Sequence, residues 1–383
     1  MIRRFSAGPM ARFLALALLL AAGIAGAAVS QPPSVIGKAW IVGDLSSGQL
    51  LASQKADERF EPASLTKLMT AYVVFIALRE KKLSLDQQVN VSPRAWKASG
   101  SRMFIEPRRP VTVDELIRGM VVQSGNDACI ALAEAVAGSE DVFAQMMNRE
   151  AARLGMKNSK FMNSTGLPDA QHYSTAQDLY LLAAALIRDF PTEYAQYYSQ
   201  KEYRYNNITQ PNRNRLLWID ASVDGMKTGH TEAAGYCLVA SSRRGGRRLL
   251  SVLLGSTSEA TRAQESLKLL NWGYQFFDSV KLYPANNAVK SLEVWKGAAR
   301  TVKVGVGSDL MVTVPKGDAD KLKAELVSQQ PLIAPLAKGQ SVGVLRVTHD
   351  GKPFGEVPLI ALEPVAAAGF FRRAWDTLRL WLK

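Results

Sequence analysis

The chain has 383 residues, 21% of them charged, and a formal net charge of +13. The length suits two domains, each with its own core; two cysteines exclude a disulfide framework, and three widely spaced histidines offer no convincing metal cluster. The basic balance suits nucleic acid, an anionic lipid surface or an acidic polymer.

Arg3, Arg4 and Arg12 precede an apolar run from Phe13 to Ile24, and the small residues Ala25-Gly26-Ala27 follow. This predicts a secretory signal peptide over residues 1–30, because the run is too short for a convincing membrane span. Its removal takes three arginines and no acids away, so +13 becomes +10. Export argues against nucleic acid and leaves the membrane and the cell wall as partners.

The folded chain is expected over residues 31–280, as an antiparallel sheet beside a helical cluster, an α+β arrangement. Ala39-Trp40-Ile41-Val42 and Gln49-Leu50-Leu51-Ala52, joined by Gly43 to Gly48, read as a hairpin. Next comes Ser64-Leu65-Thr66-Lys67, a hydroxyl and an amine one helical turn apart. Taken alone, the tetrad also reads as a helix cap with a solvated lysine. The following stretch to Leu78 is apolar almost all round, which predicts a central, buried helix with Ser64 at the edge of a core.

Asp114–Val122 and Asp127–Ala137 read as helices separated by the turn Ser124-Gly125-Asn126, and Gly138 closes the second. Ala176–Arg188 is another amphipathic helix. Residues 189–222 read as polar and irregular. Asp224 to Gly229 then leads to strands over Tyr236–Ser241 and Leu249–Leu254, joined by a tight turn at Arg243–Arg248. A helix from Ala260 to Phe277 completes this part.

Residues 281–363 change texture to short β segments, with Asp350-Gly351 as a hairpin turn. They predict a small β-rich domain that serves as a spacer or binding module. Residues 364–383 end in an amphipathic helix. At 100° per residue, Phe371, Trp375, Leu378 and Leu382 share one side, flanked by Phe370 and Trp381. Arg372, Arg373, Arg379 and Lys383 fall opposite. Such a helix lies in a membrane interface, with aromatic residues at the acyl boundary and cations at the headgroups. Export and residues 369–383 together place the protein on the periplasmic face of an anionic inner membrane, peripherally bound.

Ser64-x-x-Lys67, Ser124-Gly125-Asn126 and Lys227-Thr228-Gly229 occur in an order that matches the signature of penicillin-binding proteins and class A β-lactamases, with S-G-N here in place of S-D-N. The chain resembles the low-molecular-mass D-alanyl-D-alanine carboxypeptidases of the penicillin-binding protein 5 and 6 type. The resemblance rests on Pro62–Thr70, Gln123–Ala128, Asn212-Arg213-Asn214, Val223–Thr231 and Ala234-Gly235-Tyr236, and on the β domain and tail. It implies a β-lactamase/transpeptidase-like catalytic domain with no cofactor and no metal. The implied substrates are peptidoglycan stem peptides ending in D-Ala-D-Ala, with β-lactams as covalent inhibitors.

The resemblance also implies roles. Ser64 attacks the carbonyl between two D-alanines and Lys67 takes its proton. That lysine must be neutral, which burial and a second cation such as Lys227 would favour. Ser124 relays the proton to the leaving amine, and Asn126 holds the substrate amide. Lys227 and Thr228 bind the terminal carboxylate, with Arg213 and Arg262 as helpers. Gly229 leaves room for the substrate backbone. The N–H groups of Ser64 and His230 form an oxyanion hole. Three alternatives stay open: a β-lactamase, although Phe161–Asp169 lacks a glutamate, a transpeptidase or endopeptidase, and a catalytically silent wall-binding scaffold. Whether Cys129 and Cys237 pair is open too.

Overall fold

The computed structural model describes residues 31–382; the signal peptide expected over residues 1–30 lies outside them. The first domain holds a five-stranded antiparallel sheet. Its strands are β1 (Ala39–Asp44), β2 (Gln49–Gln54), β3 (Val223–Thr231), β4 (Gly235–Arg244) and β5 (Arg247–Ser256), in the order β2-β1-β5-β4-β3. The expected hairpin is β1–β2, with a register shift between Val42 and Gly43.

Helix α1 (Lys67–Arg79) follows a tight 3-10 turn over Ala63–Thr66, so Ser64 sits in the turn and not in the helix proper. Every residue of α1 from Lys67 to Phe75 is buried, as its all-round apolar sequence predicts. Around it pack α3 (Asn126–Ala137), α4 (Glu140–Arg153) and α5 (Ala176–Asp189), with α2 (Val113–Val122) beside α3. Thr112 and Glu115 form a capping box on α2, and Gly138 ends α3 with φ 76°, a left-handed conformation that glycine adopts without strain. Helix α6 (Glu259–Phe276) covers the other face of the sheet and is capped by Ser258.

Residues 189–222 correct the expectation of an irregular stretch. They hold a short helix at Pro191–Tyr197, a hairpin of Glu202–Tyr205 with Ile208–Pro211, and a helical turn at Leu216–Ile219. Tyr194, Tyr197 and Tyr198 are its buried anchors. Large aromatic rings supply the burial that a longer apolar pattern would otherwise advertise.

The second domain is β-rich. Strand β6 (Phe277–Tyr283) pairs with β9 (Leu310–Pro315). The remaining strands are β7 (Lys290–Trp295), β8 (Thr301–Gly305), β10 (Leu322–Ser328), β11 (Leu332–Ile333), β12 (Ser341–His349) and β13 (Lys352–Ala361), in the order β10-β12-β13-β8-β7-β11. The β12–β13 turn is Asp350-Gly351, with φ 51° and 74°, the geometry a two-residue hairpin prefers. The expected start of this domain at residue 281 falls inside β6.

Thr313 joins the domains. Its N–H donates to Gln49 Oε1 at 2.7 Å, its carbonyl accepts from Gln49 Nε2 at 3.0 Å, and its hydroxyl donates to Asp44 at 2.9 Å. Asp44 is wholly buried and paired with Arg247 at 2.6 Å, so its charge is compensated. The chain ends in helix α7 (Phe370–Trp381).

Candidate active site

The turn that carries Ser64 is built by local strain and close approach. Ala63 has φ 46°, and Leu65 N–H donates to the Pro62 carbonyl at 3.0 Å. The turn lifts Ser64 to the surface of a cleft of about 370 Å³. Ser101, Ser124, Arg213, Thr228, Gly229, His230, Tyr236, Glu259 and Arg262 line it with Ser64.

Lys67 starts α1 beneath this turn and is 1% exposed. Its Nζ has three polar neighbours: Ser64 Oγ at 2.9 Å, Asn126 Oδ1 at 2.7 Å and the Thr165 carbonyl at 2.6 Å. The orientation of the Asn126 amide follows from its other end, where Nδ2 donates to the Ser99 carbonyl at 2.7 Å. Burial lowers the lysine pKa below its ordinary 10.5, and the Arg213 guanidinium lowers it further. A Cys129 thiolate would raise it, but burial pushes that thiol up to about 12 and keeps it neutral. Arg213 is thus one cation acting on Lys67, and the repulsion between Lys67 and Lys227 makes Lys227 another, as the sequence suggested.

Ser124 sits at φ 69°, uncommon for a residue with a side chain, just before the first turn of α3. Its hydroxyl is buried with no hydrogen-bond partner among the described residues. Asn126, expected to hold the substrate amide, spends its oxygen on Lys67 and one N–H on Ser99, which leaves one amide hydrogen.

The opposite wall is β3. Lys227 is 3% exposed, and burial, followed by Lys67, Arg213 and Arg262, lowers its pKa well below 10.5. Its Nζ donates to the Thr228 carbonyl at 3.1 Å. Arg213 Nε donates to the Gln123 carbonyl at 3.1 Å, and Arg262 donates to the Arg213 and Gly229 carbonyls at 3.3 and 3.5 Å. Among the described lining residues Glu259 is the only acid, and it stands 3.9 Å from Arg262. Positive charge is thus gathered at one end of the cleft with little to neutralise it. His230 packs at a tilt against Tyr236 at the rim, with centroids 4.1 Å apart.

Gly229 lines the cleft beside the nucleophile turn. A Cβ there would meet the Pro62 carbonyl at 3.0 Å and Leu65 N at 3.3 Å. The missing side chain thus lets the nucleophile turn pack closely against β3. Cys129 and Cys237 are both buried free thiols.

Sequence reading missed three supports. The loop Phe161–Asp169 supplies the Thr165 carbonyl to Lys67 and the Ser164 carbonyl to Thr70 Oγ1 at 2.6 Å. Glu140, buried and paired with Arg94, holds that loop by accepting from Ser164 N–H and Oγ at 3.0 and 2.6 Å. His172 Nε2 lies 2.9 Å from Thr66 Oγ1, inside the catalytic tetrad itself. The third support is Asp127. Its carboxylate accepts from the N–H groups of Met103, Phe104 and Ile105 at 2.9, 2.8 and 3.2 Å, which ties the wall bearing Ser101 to the Ser124 turn. An acid in the first turn of a helix was its one visible signal.

Known proteins share this architecture and sequence. Residues 26–258 match the D-alanyl-D-alanine carboxypeptidase family, and residues 277–367 match the penicillin-binding protein 5 C-terminal domain. The chain is 46% identical over 354 residues to the D-alanyl-D-alanine carboxypeptidase DacC of Escherichia coli (strain K12), covering 90% of this chain and 88% of that one. It is 41% identical over 356 residues to DacA of the same strain, covering 91% and 88%. Penicillin binding protein 5 from Haemophilus influenzae superposes with a TM-score of 0.84 at 40% identity, over 88% of this chain and 99% of that one. The chain therefore belongs to the D-alanyl-D-alanine carboxypeptidases, of the kind that carries the penicillin-binding protein 5 C-terminal domain.

Proposed function

We propose that the protein removes the terminal D-alanine from peptidoglycan stem peptides through a Ser64 acyl-enzyme. The observation that carries this is the environment of Lys67. A neutral amine has two hydrogens and one lone pair. The Thr165 carbonyl and Asn126 Oδ1 accept the two hydrogens, at 2.6 and 2.7 Å. The lone pair is left for the Ser64 hydroxyl at 2.9 Å. Burial favours that neutral form, so Lys67 serves as the base.

The hydroxyl proton passes to Lys67 as Ser64 Oγ bonds to the carbonyl carbon of the penultimate D-alanine. The N–H groups of Ser64 and His230, both on the cleft lining, take up the oxyanion. Ser124, whose hydroxyl has no partner of its own, carries the proton to the leaving amine, and the C–N bond breaks. Lys227, Thr228, Arg213 and Arg262 hold the terminal carboxylate, whose charge favours the protonated form of Lys227. Water then attacks the ester, returns its proton through Lys67, and frees Ser64. A β-lactam ring opened by Ser64 stays attached far longer, because the Phe161–Asp169 loop offers a carbonyl and no glutamate to drive water.

We also infer peripheral attachment to the periplasmic face of the inner membrane. No helix among the described residues is long and apolar enough to cross a membrane. Phe370, Phe371, Trp375 and Trp381 on α7, and Leu382 just after it, are 60–88% exposed, as an interfacial helix requires. Deleting residues 369–383 is expected to move the protein to the soluble fraction, and retention on membranes would refute the attachment. For the activity, D-alanine release from a peptide ending in D-Ala-D-Ala is measured beside Ser64→Ala. Absence of release by the unaltered enzyme, or release by the variant, would sink the proposal.

A further inference from the structure

Helix α7 packs on its own protein by its charged side. Arg372, Asp376 and Arg379 stand at i, i+4 and i+7 and share one face. Asp376, 9% exposed, accepts the Lys296 N–H at 2.7 Å. Arg372 donates to the Ala298 carbonyl at 3.1 Å, and the Arg379 guanidinium lies 5.4 Å from the centre of the Trp295 ring. Arg372 is thus half-buried against the protein, whereas Arg379 and Arg373 remain exposed and open to headgroups. The chain entering the helix is strapped to the same loop. Ala298 N–H donates to Ala366 and Ala368 N–H to Lys296, both at 2.8 Å.

An ordinary surface helix buries its apolar stripe and shows water its polar one. This helix does the reverse. Its docked polar stripe turns the large apolar side chains outward, from Leu378 at 49% exposure to Phe371 at 88%. An anionic bilayer fits that face, because aromatic side chains settle at the headgroup boundary and an exported chain of net charge +10 is drawn to negative lipid. The same charge opposes a second copy as the occupant.

We propose that α7 is a rigid foot and not a flexible tether. Asp376 clamps it to the loop after β7, and the Thr313 joint fixes the β domain to the catalytic domain. Together they set the height and tilt of the Ser64 cleft above the membrane. This rests on the membrane attachment proposed above. A cleft held at one height meets the layer of wall lying at that height, so the clamp selects which stem peptides are trimmed.

The test uses the exported chain, residues 31–383, labelled at Ser64 with a donor-bearing penicillin. It is mixed with vesicles of phosphatidylglycerol and phosphatidylethanolamine that carry an acceptor lipid. Flotation reports attachment, time-resolved energy transfer reports the spread of cleft heights, and hydrogen exchange reports the Lys296 amide. The unaltered protein should float and show one narrow distance. Asp376→Ala should float equally well, broaden the distances and lose Lys296 protection. Asp376→Asn, which keeps an acceptor oxygen, should behave as the unaltered protein. Narrow distances and a protected Lys296 amide in Asp376→Ala would overturn the clamp and leave the attachment intact. Failure of the unaltered protein to float, or a vesicle-independent dimer covering Phe371 and Trp381, would overturn the attachment itself. If Asp376→Ala no longer reacts with penicillin, Arg372→Ala with Arg379→Ala reads the same clamp from less buried positions, and unchanged distances there would overturn it.

Discussion

The amine of Lys67 lies 2.6 Å from the carbonyl of Thr165, a main-chain group on a loop that reaches the catalytic turn from 98 residues away. Burial favours the neutral amine; the carbonyl takes up one amine hydrogen and so turns the lone pair toward Ser64. Acylation by penicillin should therefore rise with pH along a limb whose apparent pKa sits below the ordinary 10.5, then level off. Lys67→Arg puts a permanently protonated group there that cannot accept the Ser64 proton, so acylation should fall about a thousandfold or more. A limb near 10.5, or an active arginine variant, would remove Lys67 from the role of base.

Arg262 is 5% exposed and faces a cleft with little negative charge of its own. If it holds the terminal carboxylate, Arg262→Ala should raise KM for peptides ending in a free D-alanine by roughly ten- to a hundredfold, the worth of a charge-assisted hydrogen bond. The slow turnover of the same peptide with its C-terminus amidated should change little. Equal losses on both substrates, read from initial rates, would assign Arg262 to packing instead.

Much of this site was legible because its chemistry lies in side chains at short spacing. Ser64 and Lys67 are three apart, and each of the later tripeptides sits beside a recognisable turn or strand. The supports were not legible. The Thr165 and Ser164 carbonyls belong to the backbone and carry no residue signature. The close approach of the nucleophile turn to Gly229 was not legible either, because sequence does not show which segments lie across a strand. Aromatic anchoring hid the helix and hairpin of residues 189–222, and the polar stripe of α7 gave no sign that it docks on Lys296.

His172 is buried, and its pKa is pushed down to about 4 from 6.5 by loss of water, against a small opposing pull from Asp169. Above pH 6.5 it is neutral folded and unfolded, so it has no effect on pH dependence there. As pH falls from 6.5 to 4, the unfolded chain takes up a proton that the fold refuses, and stability drops. The full difference of 2.5 units amounts to about 3 kcal/mol. His172→Gln keeps a partner for Thr66 and removes the titration. Urea unfolding at pH 7 and pH 4.5 should show the variant losing about 2–3 kcal/mol less than the parent on acidification. Parallel losses would mean that His172 does not resist protonation.

Gly166 is where the loop comes nearest the nucleophile turn. It has φ +82°, and a Cβ would stand 1.8 Å from the Ala63 carbonyl oxygen and 2.8 Å from Thr66 Oγ1. No side chain can be accommodated without moving one segment off the other. Gly166→Ala should destabilise the protein by about 2–4 kcal/mol, from overpacking and left-handed strain together. It should also do something that general destabilisation does not. Backing the loop away lets water reach Lys67 and relieves the burial that holds its pKa down. The apparent pKa of acylation should then climb toward 10.5 in the fraction that remains folded. Penicillin acylation followed against pH, with the folded fraction measured in parallel, separates the two effects. A lower stability with an unshifted pH limb would show that the loop braces the fold without tuning Lys67.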